Sequence, residues 1–366
     1  MPRTLRYLLL ALCPLAGGCG GRPPDELTVV VVPKGLTHEH WQSVHRGAER
    51  CAADLLAGEG LNVRVVFDGP LRERDAIAQL RIVDRRVATG ASGIVLAPQH
   101  SRTMTACVKR AADAGVPVVV IDSGLADPDH FVKYVATDNY NGGVLAADHL
   151  FDELERRGKH RNPRVVLFRY AVGSEATEQR EAGFEKQLNA RVEAAGGNVE
   201  WVSTDKYAGA TRDSASREAK PLVNSLRDRM DAIFAPNESS ATGMLDVLRS
   251  QGLNKTVLLM GFDASKSLLE SIREGDICGS VLQDPYKMGY LSTLCCIRHI
   301  QGYDVNRGRT DMEIGTGEHV VVLQNGKLDT NKGQGEEFVR GLYDPAAQAG
   351  RDMAKETPDY LKRRAK

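Results

Sequence analysis

The sequence predicts an α/β protein made of two doubly wound parallel-sheet lobes joined by a hinge. Three observations lead there. Short β-branched runs such as Val29–Val32 and Val118–Ile121 are apolar throughout, as strands covered on both faces must be. Segments between the runs place apolar residues three and four apart, the period of one helix face. The alternation occurs twice, in arrays of similar size, and 366 residues suffice for two such cores.

In the first array Val29–Val32 precedes a helix carrying Trp41, Val44, Ala48, Cys51 and Leu55 on one face. Val63–Phe67, Gly93–Leu96, Val116–Ile121 and Phe131–Ala136 read as further strands, with helices near Asp75–Val87 and Thr103–Ala114. In the second array the strands are Arg164–Phe168, Val199–Ser203, Ala232–Ala235, Val257–Gly261 and Gly279–Leu282. Helices are expected near Thr177–Ala195, Thr211–Arg227, Ser239–Gln251 and Lys266–Glu274. Pro221 falls within one of them and should shorten or kink it. A helix Met288–Ile300 and a late strand Glu318–Leu323 follow. Beyond about Tyr343, with Lys355, Lys362, Arg363, Arg364 and Lys366, the chain reads as solvated helix or disorder.

The formal net charge is +0 and aromatics make up 5%, so neither a basic field nor a stacking platform points to nucleic acid. At the N-terminus Arg3 and Arg6 precede the apolar run Tyr7–Cys13 and small residues, an export signal over residues 1–18. Its end resembles a bacterial lipobox with Cys19 as the lipidated residue, although Leu15 stands one place early and Ala16 occupies the usual leucine position. Residues 19–26 then form a tether, and membrane contact is expected through that anchor alone. Cys51, Cys107, Cys278, Cys295 and Cys296 remain, mostly at apolar helical positions, and are expected as buried free thiols.

Polar residues stand just beyond the strands: Asp122, Asp138-Asn139, Asn237-Glu238, Asp263 and Gln283-Asp284, with Arg180 on the first helix of the second array. Each alone suits a helix cap or turn. Together on one rim they suit a cleft for a neutral polyol, whose hydroxyls both donate and accept. Trp41 and Phe262 offer rings for the C–H face of a sugar.

At this point the chain resembles the periplasmic sugar-binding proteins of the ribose/galactose type, solute-binding components of ABC importers with the type I periplasmic binding fold. The residues that carry the resemblance are Ala97-Pro98-Gln99, Val118–Asp122, Ala136-Thr137-Asp138-Asn139, Gly142-Gly143, Arg180–Phe184, Pro236–Ser239 and Gly261-Phe262-Asp263. It implies ligand contacts at Lys34, Trp41, Asp122, Arg180, Asn237, Phe262, Asp263 and Gln283, to which His40 is added as a candidate. Trp41 would stack, Arg180 and Asn237 donate, and Asp122 and Asp263 accept. The resemblance also implies discontinuous lobes, 27–138 plus 284–318 and 139–283 plus 319–342, with three hinge crossings and residues 343–366 as a tail.

The expected partners are a small sugar or sugar-like ligand and an ABC permease in the inner membrane, with the protein itself a monomer. The alternative is a sensor presenting a sugar or autoinducer to a membrane kinase or chemoreceptor. Ser123 departs from the arginine common after the aspartate, and Lys34 suggests a sugar acid, a phosphorylated sugar or an amino sugar, unless it pairs with Glu39. No metal is expected, because His38-Glu39-His40 lacks the four-residue spacing that puts two imidazoles on one helix face. No cofactor or catalysis is expected either, since nucleophile-elbow, P-loop and dinucleotide-binding patterns are absent.

Overall fold

Residues 26–306 and 313–362 are described in the computed structural model of the chain. The export segment, the lipidation site at Cys19 and nearly all of the tether lie outside the described residues.

The first lobe begins with β1 (Leu27–Val32), α1 (Glu39–Glu59), β2 (Val63–Phe67), α2 (Ala76–Ala88) and β3 (Gly93–Leu96). It continues with α3 (Thr105–Asp113), β4 (Val118–Ile121) and β5 (Lys133–Ala136). The second lobe holds α4 (Asn139–Arg156), β6 (Arg164–Arg169), α5 (Glu175–Ala194), β7 (Glu200–Tyr207), α6 (Arg212–Leu226), β8 (Ala232–Phe234) and α7 (Glu238–Ser250). Next come β9 (Leu258–Phe262), α8 (Lys266–Arg273), β10 (Gly279–Leu282), α9 (Pro285–Ile300), β11 (Glu313–Gly315), β12 (His319–Gln324) and β13 (Lys327–Thr330). The chain ends in α10 (Gly335–Tyr343), α11 (Pro345–Ala349), α12 (Met353–Glu356) and a 3₁₀ turn at Asp359–Leu361.

One sheet has the order β11-β5-β4-β3-β1-β2, every pair parallel. The other runs β13-β12-β10-β9-β8-β6-β7, with β12 antiparallel to both neighbours. The apolar runs resolve into two faces because successive side chains alternate. Val29 and Val31 join the core under α1 and α9, whereas Val30 and Val32 join the core under α2 and α3. In the second lobe Val166 and Phe168 pack toward α6 and α7, and Val165 and Leu167 toward α4 and α5.

The helix pairs approach closely where glycines meet backbone. A Cβ on Gly183 would lie 2.1 Å from the Tyr140 carbonyl oxygen, and one on Gly143 2.0 Å from that of Arg180. The first lobe repeats the device at Gly47 and Gly289. This contact fixes the position of α5, and hence of Arg180 at its inner end.

The chain passes between lobes after β5, after β10 and after β11, and these passages are bonded to one another. The Thr137 hydroxyl donates to Gln283 Oε1 at 3.0 Å and lies 3.4 Å from the Thr316 hydroxyl.

Several expectations are corrected. Helix α4 and the short strands β11 and β13 are additional elements. Pro221 does not interrupt α6: it is exposed, so water can satisfy the carbonyl its ring leaves unbonded. The described part of the tail keeps Lys355 and Lys362 exposed, as expected of solvated helix, but it is anchored rather than loose. Val339 and Leu342 of α10 belong to the core of the second lobe, while Met353 and Leu361 belong to that of the first. The segment therefore crosses between lobes once more, at Asp344. Gln348, fully buried, donates to Ser43 Oγ and to the Leu342 carbonyl, both at 2.8 Å, and accepts from Arg46. Arg351 grips Asp284 through both guanidinium ends, at 2.8 and 2.5 Å. The basic residues of this stretch masked Met353 and Leu361, the apolar anchors that fix it to the first lobe.

Gly183→Ala is expected to cost about 1–3 kcal/mol by overpacking, whereas Gly58→Ala on α1, whose Cβ would meet nothing within 4 Å, should be neutral or stabilising. Denaturant unfolding of the two variants checks this.

Candidate ligand-binding site

The strand ends of both lobes face one narrow gap. Lys34, His38, His40, Trp41, Glu73 and Asp122 enter it from the first lobe, and Tyr170, Ser174, Arg180, Asn237 and Asp263 from the second. Gln283 stands at the crossing. About 40 Å³ of the gap is open to the centres of water-sized bodies.

Asp122 and Asp263 hold matching places, each directly after a strand. Both adopt left-handed backbone, φ 64° and 78°, which aspartate tolerates better than most residues. Each donates its N–H to the neighbouring strand, Asp122 to Val135 at 3.3 Å and Asp263 to Val281 at 2.7 Å. The bend turns both carboxylates into the gap.

A polar chain fixes these groups. Lys34 Nζ donates to Asp122 Oδ2 at 2.6 Å and to Ser123 Oγ at 2.8 Å. Gln99 Nε2 donates to the Lys34 carbonyl at 2.6 Å and holds the loop that carries it. Asn139 Nδ2 donates to the Asp122 carbonyl, and its Oδ1 accepts from Arg180 Nε at 2.8 Å. Arg180 Nη1 donates to the Pro236 carbonyl, and its guanidinium lies 3.8 Å from the Phe262 ring centre. Gln283 Nε2 donates to Asp263 Oδ1 at 2.5 Å. Burial pushes the Asp122 carboxyl up, but Lys34, His40 and Arg180 outweigh it and hold the group below its ordinary 3.8.

Of the residues expected in the site, Lys34, His40, Trp41, Asp122, Arg180, Asn237, Asp263 and Gln283 line the gap together. Phe262 does not. It is fully buried in the core of the second lobe, behind Arg180, with its ring against Gly142. Strand alternation sends Phe262 inward when Asp263 emerges, so it supports the arginine and offers no face to a ligand. Lys34 pairs with Asp122, not Glu39. Asn237 caps α7: its Oδ1 accepts from the Ser240 N–H and its Nδ2 donates to Ser239 Oγ at 3.0 Å, which leaves one amide hydrogen for other use. Trp41 Nε1 donates to Glu73 at 2.7 Å, so its ring forms a fixed wall. The three neighbouring histidines diverge: His38 meets Glu238, His40 faces Asp122, and His45 stacks on Phe67.

Glu73, Tyr170 and Ser174 were not singled out from sequence. Tyr170 directly follows β6 and satisfies the strand-end rule that found Asp122. Glu73, on the loop after β2, has no such mark. Its role comes from two long-range bonds, one from Trp41 and a short one from the Tyr170 hydroxyl of the opposite lobe.

Two side-chain atoms in the gap, His40 Nε2 and Ser174 Oγ, are buried and have no hydrogen-bond partner. Burial lowers the His40 pKa below 6.5, so the ring is neutral and offers one donor and one acceptor. Contacts across the gap also include His38 with Glu238 at 3.3 Å and the Gly124 N–H donating to Glu175 at 2.9 Å.

Two lobes that present buried polar groups to a shared gap define a binding protein that closes over a small solute. A family model described as periplasmic binding protein domain matches residues 29–304, and the chain belongs to that family of binding proteins. It is 28% identical over 295 residues to the ribose import binding protein RbsB of Bacillus subtilis (strain 168), covering 79% of this chain and 88% of that protein. It is 24% identical to a D-ribose/D-allose-binding protein of Pseudomonas aeruginosa, covering 82% and 91%. A carbohydrate transporter solute-binding protein from Agrobacterium radiobacter, solved with D-arabinose, superposes with TM-score 0.76 at 27% identity, covering 88% of this chain and 100% of that one.

Lys34→Met is expected to destabilise the protein by roughly 3 kcal/mol or more at neutral pH, because Asp122 would be left buried without its ion pair. Asp122's depressed pKa means the pair contributes fully above 3.8 and is lost as pH falls through the depressed value. The difference between wild type and variant in denaturant unfolding should therefore shrink in acid.

The inter-lobe His38–Glu238 pair gives a second expectation. Burial lowers the His38 pKa, but Glu238, Glu73, Asp263 and Glu39 outweigh it and raise it above 6.5. Glu238 is raised above 4.5 by burial, against the pull of His38. A raised closed-form pKa favours closure fully below the ordinary value and loses that contribution as pH rises through the raised one. Ligand affinity should increase from about pH 8.5 to about pH 7, above the range in which protonation of His40 opposes closure, and His38→Gln should flatten the profile measured by calorimetry.

Proposed function

We propose that this protein captures a neutral sugar between its lobes and presents the closed form to its permease. The chain is a sugar solute-binding protein of an ABC transport system. The relatives named above carry ribose, D-allose or D-arabinose in their descriptions, and a pentose or hexose ring of that size is assigned to the gap.

The observation that carries the reading is the pair of buried, unpartnered atoms, His40 Nε2 and Ser174 Oγ, on opposite sides of one gap. An unmade buried hydrogen bond costs about 1–3 kcal/mol, which a hydroxyl-bearing ligand recovers. Charge decides between sugar classes. Lys34, Arg180 and His38 are opposed by Asp122, Glu73, Asp263 and Glu238, and Lys34 already serves Asp122. An acidic or phosphorylated sugar would meet uncompensated carboxylates, so a neutral polyol fits best. Trp41 supplies the flat wall for its C–H face, and Arg180 Nη2, not used in the bonds to Asn139 and Pro236, supplies a donor.

In this reading segments 27–138 plus 284–318 and 139–283 plus 319–342 move as two bodies about the bonded crossings. The protein is a monomer tethered to the membrane by a lipid on Cys19, and it docks on a permease in the inner membrane.

Calorimetry with D-ribose, D-allose, D-arabinose, D-galactose and D-glucose tests the function. At least one should bind, and Arg180→Ala should weaken it by roughly thirtyfold or more, as expected for a buried donor at 2 kcal/mol or above. Binding unaltered in Arg180→Ala, or no heat with any sugar, would overturn the assignment.

A further inference from the structure

Beside the ligand gap lies a second and much larger chamber between the lobes. About 610 Å³ of it is open to the centres of water-sized bodies, against about 40 Å³ in the gap. His40, Asp263 and Gln283 line both spaces and form their common wall. The chamber has the size of a small-molecule pocket in its own right.

Its outer wall is built by the C-terminal strap, through Leu342, Tyr343, Asp344 and Pro345. That strap is fixed at both ends. On one side α10 is packed into the second lobe through Val339 and Leu342; on the other, buried Gln348 and the paired Arg351 hold the chain to α1 and α9. The wall is therefore part of the fold.

The geometry points to a second sugar subsite in this chamber, so that the full ligand is a disaccharide-sized glycoside with one ring in the gap and the next against the strap. This rests on the sugar-binding reading given above. Tyr343 and Pro345 offer an aromatic and an apolar face for C–H groups. Lys266 and Glu270, one turn apart on α8, supply a donor and an acceptor; neither side chain carries a hydrogen bond or ion pair among the described residues. Arg46 and Arg273, also in the lining, are engaged with Gln348 and Glu336. The shared wall adds His40, whose Nε2 is buried and unpartnered.

The test is calorimetry on the full mature chain with D-ribose, D-allose, D-galactose and D-glucose against lactose, cellobiose, maltose and melibiose. Wild type, Tyr343→Ala, Lys266→Ala and Arg180→Ala are compared. Lys266 is exposed, so its replacement leaves folding intact. At least one disaccharide should bind about tenfold or more tighter than any single sugar, a gain of about 1.4 kcal/mol. Tyr343→Ala and Lys266→Ala should erase that preference while leaving monosaccharide affinity in place, and Arg180→Ala should weaken both ligand classes. Monosaccharides binding as tightly as every disaccharide, or a disaccharide preference untouched by both strap-side variants, overturns the second subsite and leaves the sugar-binding reading standing. No heat with any sugar of either class overturns both.

Discussion

The buried chain Lys34–Asp122–Asn139–Arg180 is the constraint on which the rest of the site depends. It runs from one lobe to the other without leaving the interior. A buried cation or carboxylate is costly unless paired, so each member fixes the next. Arg180 is held further by Phe262 below it and the Pro236 carbonyl beside it. The result is a set of charges whose positions are settled before a ligand arrives, which is how a binding site limits the entropy lost on association.

The pseudo-symmetry of the lobes explains why the site has this form. Asp122 and Asp263 stand at corresponding strand ends with the same left-handed backbone, and each lobe uses a glycine-mediated helix pair to set its inner helix. What differs between lobes is chemistry. The first brings lysine, tryptophan and histidine, and the second brings arginine, tyrosine and serine. Closure then joins two unlike half-sites, and contacts such as His38 with Glu238 and Tyr170 with Glu73 link them.

Much of this was legible in the sequence because it follows from local rules. A residue directly after a buried apolar run sits at a strand end, so Asp122, Asp263 and Gln283 could be placed without coordinates. Phe262 shows the limit of that rule: proximity to a strand end does not say which face a side chain takes, and its neighbour Asp263 holds the exposed one. Glu73 and the strap were hidden for a different reason. Their places depend on partners roughly a hundred or several hundred positions away, such as Tyr170 for Glu73 and Ser43 for Gln348. No periodicity encodes such pairings.

The most direct test of the account is a crystal structure of the protein bound to the sugar that it takes up in solution. Electron density for a sugar ring between Trp41 and Arg180, with hydroxyls within hydrogen-bonding distance of His40 Nε2 and Ser174 Oγ, is the predicted result. A ring lodged elsewhere on the surface, with those two atoms still unbonded, would contradict it.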